Sequence, residues 1–138
     1  MTEEKELTEQ DLLVLEGTDL SEEDAANCTD ATLARIRQVR DSIPVLDRPY
    51  RQILEAITAK GCSLDMGSWH RCKTTHCLGG WTVTLAGQSG AQLEERIGAE
   101  AAARAILRKS RPEAPLPNFY ASDKAALAFI QARAAEEV

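Results

Sequence analysis

The chain has 138 residues, of which 43% are hydrophobic and 28% are charged, and its formal net charge is −6. No segment approaches the ~20 consecutive apolar residues of a transmembrane helix, and the acidic N-terminus MTEEKELTEQ lacks the basic and apolar regions of a secretory signal. These features exclude a membrane-spanning protein and predict a cytoplasmic one, whose four cysteines are thiols or metal ligands.

The first third of the chain is acidic, and the rest is almost neutral. Residues 1–43 carry twelve acidic and four basic side chains, whereas residues 44–138 carry ten acidic and twelve basic ones. We therefore predict an acidic helical N-terminal extension at 1–43 and a helical core domain at 44–138. Neither part has a basic stripe interleaved with aromatic residues, so we do not expect the protein to bind nucleic acid.

Two short helices are predicted in the extension, at residues 8–16 and 21–26. Each segment begins with a hydroxyl side chain that can cap a helix. In the first segment, Leu12, Leu13 and Leu15 are candidate contacts for a partner protein. The alternative is that these leucines pack on their own domain.

The elements that follow are also predicted to be helical, because their apolar residues recur every three or four positions between capping residues, glycines and prolines. They cover residues 31–42, 49–60, 75–86, 91–97 and 99–110, with a last helix from residue 123 onwards. The predicted fold is therefore all-α. It is a compact bundle of six to eight short helices, with an irregular or short β segment allowed around residues 62–75.

One segment, WHRCKTTHCLGGW at residues 69–81, contains both histidines, both tryptophans and two of the four cysteines. His70, Cys72, His76 and Cys77 supply nitrogen and sulfur ligands of the kind that zinc prefers, so a zinc site is one interpretation. Their spacing is tighter than that of most structural zinc sites, and adjacent residues on a helix point about 100° apart. The interpretation without any cofactor therefore stays open.

The same residues also suggest thiol chemistry. Cys77 is predicted in the first turn of a helix, where free amide groups stabilise a thiolate, and His70 or His76 is the candidate base. A redox pair of Cys72 and Cys77 is a further alternative. No third catalytic group is recognisable in the sequence.

The remaining interpretation of the segment is structural. Thr74 or Thr75 caps the helix, and Cys77 is buried and reduced at its start. The glycine pair at 79–80 costs about 1 kcal/mol per residue inside a helix, and a ring such as that of Trp69, packed against the backbone, offsets the loss.

The segment LDMGSWHRCKTTHCLGGWTVTLAGQSGAQLEERIG, with the later PLPNFYAS and the final helix, resembles a group of small bacterial and phage proteins. Members of that group carry a pattern close to WHxCxTTHCxAGW…LAG, followed by an Ala-rich helix and an NFY-type turn. The resemblance covers residues 50–135 and departs at Gly79, where the pattern has alanine. It implies a phage or mobile-element setting, and it implies no reaction, ligand or catalytic residue.

Together these features predict a non-enzymatic interaction protein of phage or mobile-element type, which binds a host or partner protein such as a defence component. Small size, the acidic extension and the lack of an assembled active-site pattern favour it. The alternative is a small metal-binding or thiol-dependent enzyme centred on His70, Cys72, His76 and Cys77.

Overall fold

Five helices and one small sheet follow residue 48 in this computed structural model, which describes Gln38 and residues 41–137. In chain order they are α1 (Pro49–Thr58), β1 (Ser63–Leu64), β2 (His70–Cys72), β3 (Thr75–His76), α2 (Leu78–Leu85), α3 (Gly87–Ile97), α4 (Ala99–Ser110) and α5 (Asp123–Glu136). The predicted helices at 8–16 and 21–26, with Leu12, Leu13 and Leu15, lie outside the described residues.

The prediction of an all-α bundle of six to eight helices is wrong, because residues 63–76 contain a three-stranded mixed sheet. Each strand has only two or three residues, so the sequence lacks the alternation of polar and apolar residues that identifies a longer strand. The parallel pairing of β1 with β3 also joins residues twelve positions apart, across the intervening strand β2. The sheet lies where an irregular or β segment was allowed, and it extends to His76.

The sheet has the strand order β1-β3-β2, with β1 parallel and β2 antiparallel to β3. Ser63 is the partner of Thr75, twelve residues later, and their side-chain hydroxyls are hydrogen-bonded at 2.9 Å. On the other side of β3, His70 is the partner of His76, and the register shifts between His70 and Cys72. The sheet thereby places the two histidines opposite each other.

The helical core surrounds α2 and α4. The most deeply buried large aliphatic side chains come from four of the helices and are Ile53, Leu78, Ile106, Leu107 and Ile130. Helix α1 packs against α5, and α2 packs against both α3 and α4. None of the helices in the described residues is both long enough and apolar enough to cross a membrane.

Glu137, directly after α5, joins the end of the described chain to the start of α1. Its carboxylate accepts hydrogen bonds from the backbone amides of Tyr50 and Arg51, at 3.4 and 2.8 Å. The Arg111 guanidinium pairs with the same carboxylate at 3.2 Å. A helix leaves its first amide groups without partners inside the helix, and the positive end of its dipole attracts an anion. Glu137 therefore caps α1 over a long sequence separation.

We predict that residues 44–138 fold on their own and that the fragment 41–138 is more stable. Ile43 is buried in the core, and its carbonyl accepts a hydrogen bond from the Lys109 ammonium at 2.9 Å. Losing these contacts should lower the free energy of unfolding by about 2–5 kcal/mol, as does removal of other buried isoleucines. Denaturant unfolding followed by far-UV circular dichroism compares the two fragments. If the fragment 44–138 shows no cooperative transition, the division at residue 43 is wrong.

Candidate functional site

The residues singled out by the sequence lie where β2, β3, α2 and α3 meet. His70 and Cys72 lie on β2, His76 lies on β3, and Cys77 lies between β3 and α2. Glu94 reaches His70 from α3. The structure thus adds a carboxylate to the predicted set of site residues. Glu94 is 24 residues from His70 in the sequence, and nothing in the pattern around it indicated this contact.

We call His70, His76 and Glu94 the histidine clamp. His70 Nδ1 lies 2.8 Å from His76 Nδ1, and His70 Nε2 lies 2.5 Å from a carboxylate oxygen of Glu94. The fourth ring nitrogen, His76 Nε2, donates to the Lys73 carbonyl oxygen at 3.1 Å. All four ring nitrogens are therefore engaged within the protein. Neither histidine presents an unoccupied nitrogen to a substrate or a metal ion.

The four candidate zinc ligands do not form a ligand set. Within the described residues, no group of three or more His, Cys, Asp and Glu side chains is placed to hold a metal ion. His70 and His76 face each other through their Nδ1 atoms, and the Cys77 sulfur is hydrogen-bonded inside the first turn of α2. The geometry gives no support to zinc bound by these two histidines with Cys72 and Cys77.

Cys77 is the N-cap residue of α2. Its sulfur accepts a hydrogen bond from the Gly80 amide at 3.3 Å. The prediction that Thr74 or Thr75 caps this helix is wrong, because Thr75 belongs to β3 and the helix begins only at Leu78. The predicted burial of Cys77 is confirmed, since only 2% of its surface is exposed. Burial raises the pKa of the Cys77 thiol, which argues against the catalytic-thiol interpretation.

Cys72 is the exposed thiol of the segment. Its sulfur lies 3.5 Å from the Thr74 hydroxyl oxygen. Hydrogen bonds from Thr74, and then from Thr75, lower the pKa of Cys72 to about 7. The sequence interpretation assigned the reactive thiol to Cys77 instead. The available signal was the order CKTT, because two threonines just after a cysteine can turn hydroxyl and amide groups back towards its sulfur.

Trp69 packs directly on the first turn of α2. A Cβ added at Gly79 would overlap the Trp69 indole ring, and one added at Gly80 would overlap the Trp69 carbonyl oxygen. The predicted packing of this ring against the glycine pair is confirmed. An alanine at position 79, as in the pattern of the resembling group, would require the Trp69 ring to move.

Trp81 connects α2 to two strands of the sheet. Its indole N–H donates to the Ser63 carbonyl oxygen at 2.9 Å. Its ring lies against the His76 ring, with centroids 4.7 Å apart and planes at 80°. Only 5% of the Trp81 surface is exposed, so this residue belongs to the core.

Trp69, Phe119 and Tyr120 form an aromatic platform at the surface. The Trp69 ring centroid lies 5.9 Å from that of Phe119 and 6.3 Å from that of Tyr120. Phe119 is buried, whereas 74% of the Tyr120 surface is exposed. The Tyr120 hydroxyl donates to the Glu100 carboxylate, and its amide donates to the Asn118 side-chain oxygen at 2.9 Å. The hydrogen bond to Glu100 is the main cause of the raised pKa of Tyr120, so the phenol stays neutral.

We predict that Trp81→Ala lowers the free energy of unfolding by about 3–5 kcal/mol, because it empties a large buried volume and leaves a carbonyl without its donor. Val45→Ala is the matched control, since 58% of the Val45 surface is exposed. Denaturant midpoints of both variants provide the measurement. A loss below about 1 kcal/mol for Trp81→Ala would contradict its place in the core.

We predict that a maleimide labels Cys72 rapidly in the native protein and Cys77 only after unfolding. The Cys72 rate should rise with pH around a midpoint of about 7, because the thiolate is the reacting form. Thr74→Ala removes the largest cause of the lowered pKa, so it should move this midpoint to a higher pH. Mass spectrometry after timed labelling identifies the site. Fast native labelling of Cys77 would contradict the assignment.

Comparison of the chain with family models, with curated proteins and with solved structures gives no match. The resemblance of residues 50–135 to small bacterial and phage proteins therefore remains a prediction.

Proposed function

We propose that this protein acts by binding a partner protein and that its histidine and cysteine segment is structural. The observation that carries the proposal is Tyr120, a large aromatic side chain of which 74% is exposed. Exposed tyrosines held in one orientation are typical of binding hot spots, because they offer a large contact area at a small cost in side-chain entropy.

The position of the Tyr120 ring is constrained from three directions. Its hydroxyl is bonded to Glu100 on α4, its backbone amide is bonded to Asn118, and its ring meets Trp69 nearly at right angles. Trp69 in turn is fixed by its packing on Gly79 and Gly80. A partner would therefore meet a ring that is already ordered, which reduces the entropic cost of association.

The hydrogen bonds within the histidine and cysteine segment support the same proposal. A general base needs a ring nitrogen that can reach its substrate, and a metal needs ligands that converge. Here the ring nitrogens of His70 and His76 are taken up by Glu94, by the Lys73 carbonyl and by each other. These contacts explain the concentration of rare residues in the segment without a reaction.

The proposed kind of partner rests on the resemblance of residues 50–135 to small bacterial and phage proteins. A phage or mobile-element setting favours a host protein, including a component of a defence system, and we place the encounter in the cytoplasm. Leu12, Leu13 and Leu15 in the acidic extension stay candidates for a second contact with that partner.

A thiol-dependent activity at Cys72 is the second candidate function. One observation favours it, namely an exposed sulfur whose pKa is lowered to about 7. Cys72→Ser distinguishes the two proposals, because it abolishes thiol chemistry and leaves the aromatic platform unchanged.

Tyr120→Ala tests the main proposal. Affinity capture from cells should recover at least one protein with the wild type, with Cys72→Ser and with the exposed-residue control Val45→Ala. Capture by Tyr120→Ala should be reduced about thirtyfold, which corresponds to a hot-spot loss of about 2 kcal/mol. A cooperative thermal transition of Tyr120→Ala should show that this variant is folded. Equal capture by all four proteins would rule out Tyr120 as the docking residue.

A further inference from the structure

Each of the three contacts of the histidine clamp requires one proton. The Lys73 carbonyl can only accept a hydrogen bond, so His76 Nε2 carries a proton. The contact between the two Nδ1 atoms needs a proton on one of them. The contact between His70 Nε2 and the Glu94 carboxylate needs a proton between nitrogen and oxygen. Two neutral imidazoles supply only two of these three protons.

We infer that the histidine clamp is a proton-dependent lock between β2 and α3, closed while it holds a third proton and open once that proton leaves. The number of protons that the three contacts need does not depend on which of the three side chains carries the third one. It is the same with an imidazolium at His70, with an imidazolium at His76 or with a protonated Glu94. With the third proton bound, the three side chains together are neutral.

Release of the third proton breaks one contact of His70. Either the two Nδ1 lone pairs then face each other, or the Nε2 lone pair faces the Glu94 carboxylate. His76 stays in place, because it is buried against the Trp81 ring. The side chains of His70 and Glu94 are 35% and 26% exposed, so they can turn towards water. The opening is therefore at the end of the clamp that links β2 to α3.

The elements around the clamp contribute few other ionisable groups. On and beside β2, Arg71 pairs with Asp65 at 3.1 Å, and Cys72 is exposed. The turn between β2 and β3 contributes the carbonyl of Lys73, whose charged side chain is exposed. Strand β1 and helix α2 contain no ionisable side chain, and Glu94 is the residue by which α3 reaches His70.

A proton that the folded state holds and the unfolded state releases makes stability fall as the pH rises. Imidazoles of an unfolded chain lose their charge above about pH 6.5. Between that pH and the pH at which the clamp opens, the unfolding equilibrium constant should increase by up to about tenfold per pH unit, because unfolding releases one proton. Cys72 acts in the opposite direction, because its lowered pKa of about 7 makes stability increase above that pH.

The substitution Glu94→Gln tests the role of the third proton, because the variant does not need that proton to close the clamp. An amide can donate to an unprotonated His70 Nε2, so this variant makes all three contacts with two neutral imidazoles. Glu95→Gln changes the neighbouring exposed residue of α3 and is the matched control. Cys72 is present in every protein, so its contribution cancels in the comparison.

Denaturant unfolding of the three proteins is measured from about pH 6 to about pH 8.5, which spans the titration of an imidazole. The wild type and Glu95→Gln should lose stability with rising pH relative to Glu94→Gln. Parallel profiles for all three would overturn the inference.

Nitrogen-15 NMR of the histidine rings tests the count in the wild type alone, independently of how the variants fold. At about pH 6 either three of the four ring nitrogens should be protonated, or two of them together with the Glu94 carboxyl, whose carbon-13 shift reports its proton. After the lock opens, two protonated ring nitrogens and an ionised Glu94 carboxylate should remain. Two protonated ring nitrogens beside an ionised Glu94 carboxylate, or four protonated ring nitrogens, at about pH 6 in the folded protein would show that the clamp does not hold a single third proton.

Discussion

The close approach of Trp69 to the first turn of α2 is the contact on which the rest of the site depends. Because Gly79 and Gly80 have no Cβ, the indole ring and the backbone of Trp69 lie directly against the helix. This contact fixes the start of β2 relative to α2. The next residue, His70, is thereby held opposite His76, and the Trp69 ring also packs against Phe119 and Tyr120.

Side chains that usually suggest chemistry make structural contacts in this protein. The Cys77 sulfur caps a helix, and the indole N–H of Trp81 is bonded to a strand carbonyl. The two histidines link β2, β3 and α3 through ring nitrogens. Buried polar groups have to be hydrogen-bonded, so a small core that contains them uses them as connectors. Two groups at the surface of the described part of the chain, the thiol of Cys72 and the ring of Tyr120, are the basis of the two candidate functions.

A second set of contacts closes the fold at the opposite end of the chain. Glu137 caps α1, while Arg111 pairs with both Glu136 and Glu137. Arg111 also lies over the Tyr50 ring, with 6.0 Å between its guanidinium carbon and the ring centroid. Helices α1 and α5 are thus joined by charged groups, of which the Arg111 and Glu137 side chains are largely withdrawn from water. Removing one partner of such a pair costs more than the pair contributes, because it leaves the other charge uncompensated.

The sequence alone determined most of the helices and the packing of the glycine pair. Pro49 and the spacing of Tyr50 and Ile53 indicated α1. Ser122 marked the start of α5, and its hydroxyl oxygen accepts a hydrogen bond from the Ala125 amide. These features are local, since a cap or an apolar stripe needs only a few neighbouring residues. Two glycines within a helix likewise indicated a close neighbour, such as the ring of Trp69, ten residues before Gly79.

Only the tertiary structure decided the sheet, the clamp and the platform. Strands of two or three residues have no period to detect, and the capping role of Cys77 followed from β3 extending to His76. Nothing in the sequence distinguishes Glu94 and Glu137 from exposed glutamates. Their carboxylates nevertheless contact partners 24 and 86 residues away. The exposure of Tyr120 depends on how the segment before α5 crosses Trp69. Each of these features is set by which elements meet in space, and that information does not reside in any short stretch of residues.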